Sequence, residues 1–192
     1  MGWYWSNCAN QPNWGLEIGG IAAIDIDNHT AFHLEAFQTL NAGEQNLTDC
    51  YTGEIVDRKD TLRTISKCLV ADAWFANKPF NNKVIALEMH LISRLRDDAD
   101  LRYLCTDKPT GKKVRLRQFT GKITIMDIDK EYFTLISQDE ESTVYAAEVY
   151  SKVLKRIIML VYVTYEKTEG KDARKLYLST DVSMNPAEIL LY

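Results

Sequence analysis

The residue best placed to do chemistry is Asp72, the single carboxylate in the apolar run Cys68-Leu-Val-Ala-Asp72-Ala-Trp-Phe75. Burying an unpaired carboxylate is costly, so a chain that keeps one in such a run uses it, pairs it, or sets it at the exposed end of its element. Arg94 and Arg96 alternate along a predicted strand and share a face from which they can track a phosphate backbone. Lys108, Lys112, Lys113, Arg115, Arg117 and Lys122 form a basic run with no acid among them. Such a run is either a solvated loop or a phosphate-contacting patch. Asp97, Asp98 and Asp100 follow the two arginines and offer local ion pairs instead, worth about 0.2–1 kcal/mol each when exposed.

Other polar groups carry weaker signals. Asp25 and Asp27 share one side of a strand end and could meet a metal, but Asp27-Asn28 is a good turn pair and a hairpin role accounts for both. His29 and His33 share a predicted strand face, yet two nitrogens with no nearby thiol read as a surface pair, and His90 as an ordinary strand-start residue. Cys8, Cys50, Cys68 and Cys105 are widely separated and form no Cys-x-x-Cys pair, so they read as four reduced thiols.

The elements that must position these groups follow from periodicity. Residues 16–26 and 30–38 read as two strands joined at Asp27-Asn28 into a hairpin. Residues 39–53 are polar and irregular, whereas 57–69 sets Leu62, Ile65 and Leu69 on one helical face behind Asp57 as a cap. That helix feeds the Asp72 strand. Pro79 opens a second helix with Phe80, Val84, Leu87 and Met89, and 90–96 is a further strand. From 103 to 165 the chain turns β-prone, with strands predicted over 122–126, 132–136 and 157–165. A polar turn over 167–174, a strand over 175–180 and a helix opening at Asn185-Pro186 complete the order.

The 192 residues are 46% hydrophobic and 26% charged with nine glycines and four prolines, the balance of one globular domain with an insertion. No run reaches the length of a membrane span and the amino terminus has no export signal, so the expected location is the cytoplasm, with no membrane partner. A net charge of -4 argues against a dedicated basic nucleic-acid-binding protein, leaving charge location as the informative quantity.

Four blocks, in order, resemble one family: Gly15-Leu-Glu-Ile-Gly-Gly20 with Ile24-Asp-Ile-Asp-Asn-His-Thr-Ala-Phe-His-Leu34, then Leu69-Val-Ala-Asp-Ala-Trp-Phe75, then His90-Leu-Ile-Ser-Arg-Leu-Arg-Asp-Asp-Ala99, then Leu178-Ser-Thr-Asp181 with Pro186-Ala-Glu-Ile-Leu190. Together they look like bacterial insertion-sequence transposases of the DDE class, over essentially the whole chain. The resemblance implies an α/β, ribonuclease H-like mixed sheet with an inserted β-rich module. It also implies DNA transposon ends as partner, and two aspartates and a glutamate holding Mg or Mn ions for phosphodiester cleavage and strand transfer. Two metals roughly 3.5–4 Å apart need carboxylates converging from several elements. Asp72 matches the family's second aspartate and metal ligand.

The resemblance sets further expectations. In the family, the first aspartate precedes the segment matching Gly2-Trp-Tyr-Trp5, and the glutamate lies in a Tyr-x-x-Arg-x-x-x-Glu-x-x-x-x-x-x-Lys helix after Leu191. The chain is therefore expected to be a fragment truncated at both ends. It would lack the first strand, hold metal poorly and be inactive alone. Unpaired strand edges would leave it marginally stable, self-associating, or associated with a full-length transposase. Residues 1–102 would form a partial core, 103–165 the insertion, and 166–192 a return to the core. The alternative is a non-catalytic protein that binds DNA or a full-length transposase and interferes with it.

Overall fold

A computed structural model describes residues 2–6, 8–39, 46–105, 119–165 and 173–192, with only the backbone of Trp5. The chain divides into two compact units, 1–67 and 68–192. It is a strand-rich mixed α/β structure with few helices, and no described helix is long and apolar enough to cross a membrane.

The first unit holds two hairpins and two helices. Strands β1 (Gly2–Ser6) and β2 (Gln11–Gly15) pair antiparallel, with Trp3 opposite Trp14. Strands β3 (Glu17–Asp25) and β4 (Thr30–Thr39) form the hairpin expected from the sequence. Asp25 accepts from the backbone and side-chain nitrogens of Asn28 across its turn, which is the hairpin role anticipated for it. Helix α1 (Leu47–Asp57) occupies much of the stretch expected to be irregular. Its first turn explains why: Asn46 accepts from Asp49 N at 2.9 Å and donates back to its carboxylate at 2.8 Å, a reciprocal cap that needs no amphipathic stripe. Asp57 therefore ends this helix instead of capping the next.

Helix α2 (Lys59–Ile65) is shorter than the predicted 57–69 element, and of Leu62, Ile65 and Leu69 only Leu62 is buried. Leu69 is drawn out of it by pairing with Leu91 in a strand ladder. Arg58, between the helices, bridges Glu35 of β4 at 3.1 Å and Glu54 of α1. A Cβ at Gly19 on β3 would sit 2.5 Å from the Phe37 ring, so a larger residue there forces that ring to move.

The second unit is built on one mixed sheet. It contains β5 (Cys68–Ala71), β6 (His90–Leu95), β7 (Leu101–Leu104), β8 (Phe119–Lys122), β9 (Thr134–Gln138), β10 (Ser142–Ser151), β11 (Arg156–Tyr165) and β12 (Ala173–Ser179). The order is β5-β6-β12-β11-β10-β7-β8, with β9 also on β10, and among the described residues only β5-β6 is parallel. One sheet thus joins β5 and β6 to β12 and to the described strands β7 to β11. The strand predicted over 122–126 corresponds to β8, which ends at Lys122. Ile123 then bonds Leu101 O and 125–126 turn away.

Helix α3 (Lys78–Ala86) starts as its sequence predicts, with Asn77 capping Phe80 N and Pro79 in the first turn. Helix α4 (Pro186–Ile189) is capped by Asn185 and buries Ile189. On one sheet face lie Leu101, Val149, Ile158, Leu160, Leu176 and Leu178, all at or below 1% exposed. The other face packs Ile92, Val144, Val161, Val163 and Ile189.

Two features lend themselves to stability tests. Asn46→Ala should lower the stability of the first unit by about 1 kcal/mol, read as a lower urea midpoint at unchanged slope. Asn81 on α3 is fully buried and neither side-chain polar atom has a hydrogen-bond partner. Because an unsatisfied buried polar group costs about 1–3 kcal/mol, Asn81→Leu should raise the melting temperature of the second unit, and a fall would refute this account.

Candidate functional site

Asp72 lies one residue past β5, at the carboxyl end of a parallel strand pair. One carboxylate oxygen accepts Trp74 N at 2.8 Å and caps a 3-10 turn, Ala73–Phe75. Its carbonyl accepts from Ser93 Oγ at 2.9 Å, tying the end of β5 to β6. The side chain is exposed and β5 is an edge strand among the described residues. Of the arrangements open to a carboxylate in an apolar run, the structure adopts the exposed end. The apolar residues that come after Asp72 do not extend the strand: Phe75 turns back to meet Phe80 of α3, ring centroids 4.8 Å apart.

Arg94 lies beside this end. The last register pair of β5 and β6 is Ala71 with Ser93, which Asp72 and Arg94 each follow by one residue, and Arg94 is exposed with no ion pair among the described residues. Arg96 falls past the end of β6, so the two arginines do not share a strand as predicted. It pairs with Asp98 at 3.5 Å, both side chains about three-quarters exposed, a contact of little energetic weight. Lys112, Lys113, Arg115 and Arg117, with Lys108, lie outside the described residues. Lys122 is on β8 opposite Arg102, whose guanidinium is 3.3 Å from Asp100.

The predicted histidine pair does not form on one strand: His29 sits in the hairpin turn with φ 50, whereas His33 lies within β4. His90 has more company than expected. Its Nε2 is 4.0 Å from Asp181, and Cys68, its register partner on β5, hydrogen-bonds Tyr192. Sequence separation hid this group, since no spacing links positions 68, 90, 181 and 192. Burial, then the charges of Asp181 and Glu188, push the Cys68 thiol up, and burial likewise raises the Tyr192 phenol. Both stay protonated near neutrality, which disfavours nucleophilic use of Cys68.

No three His, Cys, Asp or Glu side chains among the described residues are grouped so that they could hold a metal ion. Asp72 alone supplies one carboxylate, with one oxygen engaged by Trp74 N, so the described residues do not by themselves fit a two-metal cage. Compared with known proteins, the chain matches no family model and no curated protein.

The Asp181 carboxyl is held below the usual range, first by the Ser183 hydroxyl at 2.6 Å and with help from His90. A carboxylate whose folded pKa is depressed contributes stability above its unfolded pKa and loses it as pH falls through the folded one. Asp181→Asn should therefore flatten the acid side of the melting temperature–pH curve. An unchanged acid limb would show that the contact carries no such linkage.

Proposed function

We propose that this chain is part of the catalytic domain of a DDE-class DNA transposase with a ribonuclease H-like core, to which it contributes Asp72 as a carboxylate ligand for Mg or Mn. The single observation that carries the reading is the position of Asp72 at the open carboxyl end of a strand parallel to its neighbour. That is where ligand and metal sites of open α/β sheets gather. The order of a β3–β4 hairpin, helices, β5, α3, β6 and then antiparallel strands supports the reading. DNA ends are the partner on this reading.

In a ribonuclease H-like core a strand bearing another aspartate would lie against the outer edge of β5, and a helix bearing a glutamate would follow α4. The cage would be complete only with both. Translating the DNA on either side of this coding region, in all frames, tests the reading. It should reveal an upstream strand with an aspartate and a downstream Tyr-x-x-Arg-x-x-x-Glu helix. Finding neither overturns it and favours a non-catalytic protein that binds DNA or a transposase. With all three carboxylates joined in one polypeptide, Asp72→Ala should reduce Mn-dependent nicking of a labelled element end by about a hundred- to a thousandfold, the order of loss for a group that acts directly on the reacting charge.

A further inference from the structure

The sheet face that carries Val161 and Val163 presents a second pattern at the β6 side. In an antiparallel ladder, directly opposed residues share a face. Arg94 of β6 is opposite Tyr177 of β12, and Tyr177 and Lys175 are two apart on β12 and so lie on the same face. Lys175 is opposite Val163 of β11, two residues from Tyr165 on that face, and its ammonium lies 5.2 Å above the Tyr165 ring centroid. The result is an alternating line, Tyr165–Lys175–Tyr177–Arg94, crossing three strands. Arg94 and Lys175 are exposed and the two tyrosines are half-buried. The opposite side of the same strands is closed core, with Leu95, Leu176 and Leu178 buried.

We propose that this line is a binding strip for a single-stranded nucleic acid, whose bases stack on Tyr165 and Tyr177 and whose phosphates meet Lys175 and Arg94. Alternating aromatics and cations suit such a strand, because every base has a π-face and every linkage a charge. An acidic peptide would use the cations but not the rings. Lys175 and Tyr177 are about 7 Å apart along β12, and Arg94 lies about 5 Å across the ladder from Tyr177. Asp139, Glu140 and Glu141 flank Tyr165 at one end of the strip and Asp181 follows Ser179 past the other end of β12, while α4, which carries Glu188, packs Ile189 against Val161 and Val163 on the same face. The strip ends at Arg94, beside Asp72. This placement deepens the transposase reading and rests on it for the identity of the strand as DNA near a cleavage point.

Fluorescence anisotropy of the full chain with a labelled oligo(dT), without metal and over a range of salt, tests the proposal. Binding should weaken with salt, and Arg94→Gln and Lys175→Gln should each flatten the log–log slope by about 0.7. Tyr177→Leu and Tyr165→Leu should weaken binding roughly five- to a hundredfold at unchanged slope, while Tyr177→Phe retains it. Circular dichroism melts verify folding, and the two exposed cation variants carry the test if a tyrosine variant unfolds. The proposal is overturned by absent or salt-independent binding, by slopes unchanged in both cation variants, by tighter binding of duplex of equal length, or by equally effective displacement with poly-L-glutamate. Because this assay needs neither metal nor cleavage, a failed strip leaves the transposase reading standing, and failure of that reading in flanking DNA leaves the strip measurable.

Discussion

The second unit depends on the ladder between β10 and β11, whose register runs from Ser142 opposite Tyr165 to Ser151 opposite Arg156. Strand β11 is apolar on both sides, with Ile158 and Leu160 in one core layer and Val161 and Val163 in the other. A strand buried on both faces cannot take its register from polar–apolar alternation, since slipping by one residue exchanges one apolar set for another. The tight connection therefore sets it. Ser151 Oγ accepts Leu154 N, and Lys155 takes φ 54, closing the turn at one length.

From that ladder the sheet grows outward in both directions, and its two margins differ. On one side β12, β6 and β5 are added in turn, and a parallel pairing occurs at the outermost step, where β5 is only four residues long. A short parallel edge strand ends early and leaves its next residue outside the sheet, which is how Asp72 escapes burial. The chemistry-bearing groups of this margin then separate by strand polarity. Asp72 and Arg94 lie at the carboxyl ends of β5 and β6, whereas Cys68 and His90 lie at the amino ends with Asp181 and Tyr192. The two groups differ in exposure: Asp72 and Arg94 are exposed, whereas Cys68, His90 and Asp181 are half-buried.

The first unit is held by more local devices. Phe37 and Tyr51 meet edge to face at 5.2 Å over Gly19, fixing α1 against the β3–β4 hairpin. Thr39 donates to the Glu17 carboxylate at 2.6 Å and closes the open end of the hairpin, and Asp25 closes its turn. Such contacts join residues close in sequence or directly opposed in a hairpin, so this unit is easier to read along the chain than the sheet of the second.

The sequence by itself determined the local chemistry: the Asp27-Asn28 hairpin, the Pro79 and Asn185-Pro186 helix starts, and the β-prone character of the later half. These are legible because each depends on backbone preferences and side-chain bonds spanning a few residues. It also singled out Asp72 by the oddity of a carboxylate in an apolar run. Tertiary structure alone decided that Leu69 belongs to a strand and not a helix, that Asp72 sits past the end of that strand, and that Arg96 turns to Asp98. It also brought Tyr165, Lys175, Tyr177 and Arg94 into one line. Those outcomes depend on pairings between segments tens of residues apart, and which partner a strand takes is set by the packing of whole sheet faces, a quantity no short window of sequence contains.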